Sequence, residues 1–239
     1  LMTGVSYMIP FVAGGGILIA LSFMLGGYQI TAVNDDVPAF IDQFGFFSIN
    51  DWAGLMFILG ATAFGFLNAV LAGFIAYAIA DRPGLVPGFV AGVAAGTIGA
   101  GLLGAIVGGL TGGFIARWLS QLDVPKAIRG VMPVVVIPLV ATFLNGVLML
   151  TLLGKPLAAV QTGLTDWLSG LSGANAIVLG AILGLMMAFD MGGPVNKTAY
   201  VFATLNLTTA IADDNGAALQ IMAAVMAAGM VPPLAMALS

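Results

Sequence analysis

Charge is so sparse along this chain that the charged residues act as punctuation. Uncharged runs cover 1–34, 52–80, 83–116, 130–154, 167–189, 198–212 and 215–239. Most of them exceed the ~20 residues a helix needs to cross ~30 Å of hydrocarbon. Only 7% of the residues are charged and 61% are hydrophobic, whereas an ordinary soluble domain carries roughly 25% charge. So few charges cannot cover the surface of a water-soluble protein of this size. The sequence therefore predicts an all-α integral membrane protein. Residues 1–239 read as a single transmembrane domain, a polytopic helical bundle of about six to eight spans at ~20 residues each.

The same composition excludes much chemistry. Cysteine and histidine are absent and all ten acids are aspartates. No disulfide framework, thiol nucleophile, thiolate metal site or phosphate-carrying imidazole can be built from this chain. There is no P-loop, no GxGxxG with a ribose-binding acid, and no metal cluster, so neither cofactor nor metal is expected. Six bases scattered over several loops leave no nucleic-acid footprint. The chain opens "LMTGVSYMIP", without a basic region before a short apolar core, so a cleaved signal peptide is not expected.

Charge also orients the spans. Arg117, Lys126 and Arg129 cluster in "RWLSQLDVPKAIRG", and Arg82 sits in "DRPG". The positive-inside rule assigns both connections, and the N-terminus with them, to the cytoplasm. The base-free loop from Tyr28 to Asp51 then lies outside. Residues 83–116 must enter and leave on one side. Eleven glycines lie between Gly84 and Gly113, as a re-entrant or broken hairpin requires. The alternative is one Gly-rich helix packed through small-xxx-small contacts at Gly88, Gly92 and Gly96.

One stretch departs from the apolar pattern. In "FDMGGPVNK", residues 189–197, an acid, two glycines, a proline, an amide and a base interrupt the run that begins at 176. Residues 176–189 and 198–212 are each too short to cross alone. The reading that follows is a discontinuous helix around 190–197, with Gly192 and Gly193 leaving the helix and Pro194 restarting it. Its open N–H and C=O groups would face a cavity. A charge at that depth costs at least ~2.5–3.5 kcal/mol and is functional by default, with Asp190 and Lys197 as mutual partners. The alternative is a solvated turn between two ordinary helices.

Other polar positions carry two readings each. Asn68 and Asn145 either bond across helices or line a solute path. Thr3, Ser6 and Tyr7, before Pro10, either line the path or pack. Trp52, Trp118 and Trp167 sit at span ends and suit an interfacial belt. The sequon "NLT" at 206–208 lies in apolar sequence and carries no reading.

"LMTGVSYMIPFVAGGGILIALSFMLGG" at the start and "FDMGGPVNKTAYVFA" at 189–203 resemble the fructose-type membrane component, enzyme IIC, of the phosphoenolpyruvate-dependent sugar phosphotransferase system. "RPGLVPGFVAG" and "VIPLVATFLNGVLMLTLLGKPLAAV" are similar to its intervening segments. The resemblance implies a permease in a prokaryotic plasma membrane, usually a homodimer. It would translocate fructose or a related hexose and pass it a phosphoryl group from a IIB phosphocysteine, a transferase activity exerted only with IIA and IIB partners. For such a transfer a carboxylate can orient the sugar hydroxyl and accept its proton, which makes Asp190 the candidate base, with Asp190, Gly192, Gly193, Pro194, Asn196 and Lys197 around the break as the candidate sugar site. The family pattern continues into an acidic "ITEGAIPF"-like hairpin, which this Glu-free chain lacks, so the domain is expected to be C-terminally incomplete. An ion-coupled secondary transporter with Asp190 as coupling site is the competing function, since it too uses broken helices.

Overall fold

The computed structural model describes residues 1–34, 36–125, 129–170, 176–189, 195–196, 199 and 223–231, and no strand occurs among them. The helices are α1 (Met2–Gly26), α2 (Val37–Asp42), α3 (Ile49–Gly65), α4 (Leu67–Ala80), α5 (Arg82–Thr97), α6 (Gly101–Ser120), α7 (Ile137–Val147), α8 (Gly154–Gly170) and α9 (Ala176–Phe189). A 3-10 segment, Tyr28–Asn34, joins α1 to α2, and a further helix covers 223–231. Among the described residues, four stretches are long and apolar enough to cross a membrane: Met2–Gly26, Ile49–Ala80, Gly101–Ser120 and Met132–Val160. The expected all-α polytopic bundle is the architecture found.

Residues 83–116 form a hairpin rather than a single helix. α5 and α6 pack along each other and turn at Ile98–Ala100. The turn uses Gly99 and Gly101 at φ 71° and 51°, a region that a side chain disfavours. The charge-free run stops at Ala116, short of the end of the second arm. In fact α6 continues through Arg117 to Ser120 and reaches 20 residues, about 30 Å. α5, at 16 residues, is about 24 Å long.

Glycine decides how these helices approach. α4, α5 and α6 meet at Ala72, which is fully buried. A Cβ on Gly88 of α5 would sit 2.7 Å from the Ala72 carbonyl oxygen, and a Cβ on Gly109 of α6 would sit 2.7 Å from that same oxygen. Backbones therefore touch directly, which only the missing side chain allows. Around this seam Met8, Val70, Leu71, Ile75, Ala91, Ala95, Leu102, Ala105 and Met149 form the main buried cluster. α1 joins along α3 by a similar approach, with Gly15 and Gly60 facing each other's carbonyls.

The longest span, Met132–Val160, is not a uniform α-helix. π-helical turns at Met132–Val136 and Leu148–Leu153 flank α7. The first runs into Pro138, whose ring has no N–H for the carbonyl one turn back. The second ends at Gly154, where a Cβ would lie 2.6 Å from the Met149 carbonyl oxygen.

Contacts along the bundle fix which connections share an end. Gly4 faces Leu71 and Ile75, Gly84 faces Ala76 and Ala80, and Gly113 faces Ala76 and Ile79. The start of α1, the α4–α5 turn at Asp81 and Arg82, and the end of α6 at Arg117 therefore lie at one end. Met132 and Ile137 pack there too, beside Ala116 and Leu119. Asp36, Asp42 and Asp51 lie at the other end, where Gly26 meets Ile30 and Ala53.

Candidate functional site

α9 has 14 residues, roughly 21 Å of helix, and is too short to cross alone. Leu179, Leu183 and Met187, spaced at i, i+4 and i+8, form its buried stripe. They join a second apolar cluster with Ala199 and Val225, and Ala228 of the 223–231 helix packs against it. The described part of α9 ends at Phe189, and helical backbone is described again at Val195 and Asn196. The expected break itself, at 190–194, lies outside the described residues.

Of the six residues read as the site, Asn196 is the one among the described residues. Its side-chain amide donates to the Met187 carbonyl at 2.6 Å. That carbonyl belongs to the last described turn of α9. Asn196 thus ties the chain at 195–196 back to α9. Asp190, Gly192, Gly193, Pro194 and Lys197 lie outside the described residues, as does the sequon at 206–208.

A second polar cluster lies within the glycine-packed bundle. Asn145 on α7 is completely buried. Its amide donates to the carbonyls of Pro87 at 3.2 Å and Gly108 at 3.0 Å, and its own carbonyl accepts from the Thr111 hydroxyl at 2.7 Å. One side chain thereby joins α5, α6 and α7. Of the two sequence readings, cross-helix bonding is the one found. A Cβ on Gly112 would lie 2.6 Å from the Asn145 amide nitrogen, so the site has no room for a solute. Thr111 was not singled out from sequence. Its signal was a hydroxyl residue between two glycine pairs, Gly108–Gly109 and Gly112–Gly113, on a helix with few other polar side chains.

The remaining polar positions resolve mostly into packing. The Ser6 hydroxyl donates to the Met2 carbonyl within its own helix at 2.9 Å. Tyr7 stacks face to face on Phe74, with ring centroids 3.9 Å apart and 3° between planes. Asn68 is half-buried against α5, where its backbone faces Gly92 and its amide approaches Gly96. Trp52 donates its indole N–H to the Phe46 carbonyl at 2.9 Å, and Trp118 is exposed.

Comparison with known proteins completes the picture. Residues 2–239 match the family described as Phosphotransferase system, EIIC, and the chain belongs to that family. It is 53% identical over 240 residues to the PTS system fructose-specific EIIB'BC component of Rhodobacter capsulatus, covering 100% of this chain and 38% of the relative. The PTS system fructose-specific EIIB'BC component of Escherichia coli (strain K12) is 52% identical over 240 residues, 100% of this chain and 39% of the relative. The PTS system fructose-specific EIIC component of Haloferax volcanii is 44% identical over 257 residues, 100% of this chain and 64% of the relative. The chain thus spans about two fifths of the two bacterial relatives. No solved structure matches it. Family and apolar helices together make this a multi-pass membrane protein.

Proposed function

We propose that this chain is the membrane-embedded part of a phosphotransferase-system sugar permease, carrying fructose or a related hexose and releasing it inside as a phosphate ester. The observation that carries the reading is identity of 53% and 52% over the whole chain to two proteins named as fructose-specific components. Both names include a B component, which supports a IIB domain or subunit as the phosphoryl donor. A homodimer in the plasma membrane follows from the same family resemblance.

In this reading the break after α9 meets the sugar. A hexose hydroxyl attacks phosphorus of the IIB phosphocysteine in line, the P–S bond breaks, and the cysteine thiolate leaves. The hydroxyl proton passes to Asp190, which also orients the nucleophile. Lys197 keeps Asp190 ionised at low dielectric and donates to a sugar oxygen. Gly192, Gly193 and Pro194 open the backbone toward the ligand, and Asn196 holds the opening to the end of α9 through Met187. The end of the bundle carrying Arg82, Arg117 and Arg129 faces the cytoplasm, together with the N-terminus and the rest of 117–129, where IIB docks.

Two measurements test this. Vesicles holding the complete protein and its IIB partner should form sugar phosphate only when a phosphoryl donor is supplied. Uptake driven by an ion gradient alone would refute the function. For orientation, Gln121→Cys should resist a membrane-impermeant thiol reagent in intact cells, and ready labelling from outside would invert the topology.

A further inference from the structure

The connection at the acidic end of the bundle holds an aromatic cluster that the transport reading does not use. Phe44 makes edge-to-face contacts with Phe40, Phe46 and Trp52, at centroid distances of 6.0, 5.3 and 5.4 Å. The geometry is braced on every side. Asp36 caps α2 by accepting from the Ala39 N–H, and the Ser48 hydroxyl caps α3 by accepting from the Asp51 N–H. The Asp51 carboxylate accepts the Gly45 N–H at 2.9 Å, and the Trp52 indole bonds the Phe46 carbonyl. This is a fixed loop, and yet Phe46 and Phe47 are 73% and 104% exposed, with Ile41 and Ile49 also exposed beside them.

Depth decides what covers these side chains. The Phe40 ring packs on Gly54, where an added Cβ would lie 2.8 Å from it. Gly54 is five residues into the span that begins at Ile49, roughly 7–8 Å along the axis. The loop is therefore folded back beside the end of a membrane-crossing helix rather than standing above it. The stretch Ile49–Ala80 has 32 residues, about 48 Å of helix against ~30 Å of hydrocarbon, which leaves its first turns for the headgroup region, where aromatic side chains are favoured. Asp36, Asp42 and Gln43 give the loop an exposed polar side, so it is amphipathic in the way an interfacial segment must be.

We infer that residues 37–52 are an interfacial lipid anchor, with Ile41, Phe46, Phe47 and Ile49 inserted at the headgroup–acyl boundary of the leaflet at the acidic end. The anchor sets the depth of α3 in the bilayer, because the loop packs on it through Phe40 and Gly54. The occupant is zwitterionic lipid, since the neighbouring aspartates repel an anionic surface.

The chain contains no cysteine, so Phe47→Cys in the full chain carries a single nitroxide, with Asp42→Cys as the reference. Both positions are exposed, so neither substitution removes buried packing. In phosphatidylcholine vesicles, collision with oxygen against collision with a water-soluble nickel chelate should report position 47 roughly 5–10 Å below the headgroups. Position 42 should read as water. If position 47 reads the same as position 42, the loop stands in solvent and the anchor is wrong. If position 47 is shielded from both reagents, a protein surface covers it, whether a second copy or another partner, and the lipid assignment is equally overturned.

Discussion

The α4–α5–α6 seam and the cluster around α9 are both buried apolar packing, yet they are built from residues of opposite size. In the seam, glycines bring backbones into contact, and Gly88 and Gly109 both abut the Ala72 carbonyl. Around α9, Leu179, Leu183 and Met187 interdigitate with Val225 and Ala228. In the bilayer no hydrophobic force drives helices together, so close backbone approach and buried hydrogen bonds must hold them. The seam has both, with Asn145 bridging three helices. Large flexible side chains tolerate rearrangement better than backbone contact does. The seam therefore reads as scaffold, and the proposed sugar site falls beside α9, where the polar sequence of 190–197 follows.

Substitutions can break or sharpen this contrast. The largest effect is expected for Gly88→Leu, because the added side chain meets the Ala72 carbonyl and the Gly73 backbone at 2.7 and 2.9 Å. Backbone cannot yield as a side chain would, so the cost should exceed the ~1–3 kcal/mol typical of overpacking. Size-exclusion profiles in mild detergent should show loss of folded protein, and normal yield and melting would deny the seam its role. Asn145→Ala comes next. It removes three cross-helix hydrogen bonds and leaves the Thr111 hydroxyl without that acceptor, which should cost about 1–3 kcal/mol. Thermal unfolding in detergent measures it, and an unchanged midpoint would mean that the glycines alone hold α7. Smallest is Gly180→Ala on α9, where no described atom lies within 4 Å of the new methyl. Here helix propensity should dominate, with stability rising by about 0.5–1 kcal/mol. Destabilisation would show that α9 packs as tightly as the seam.

How far the sequence carried this picture follows from what each signal depends on. The α5–α6 hairpin was legible because Arg82 and Arg117 demanded a common end and the glycines between them allowed a turn. Asn145 was found but left between two roles, since its partners Pro87 and Gly108 are 58 and 37 residues away. No local pattern encodes such pairings. Thr111 was missed for the same reason. The π-helical turn at Leu148–Leu153 precedes Pro156 as the first precedes Pro138, whereas the return of Phe40 onto Gly54 depends on tertiary contact alone. The bond from Asn196 to the Met187 carbonyl was hidden because no local pattern announces a pairing across nine residues.

The contrast between scaffold and site is tested most directly at Asp190, by measuring stability and chemistry on one variant. Asp190→Asn keeps the shape of the side chain and removes its charge and basicity. In the complete protein with IIB present, its melting midpoint should match the wild type and sugar should still bind. Donor-dependent phosphorylation should fall by roughly 10²-fold or more, the scale expected for loss of a general base. Phosphorylation at the wild-type rate would contradict the account, leaving the break after α9 without the reaction's base.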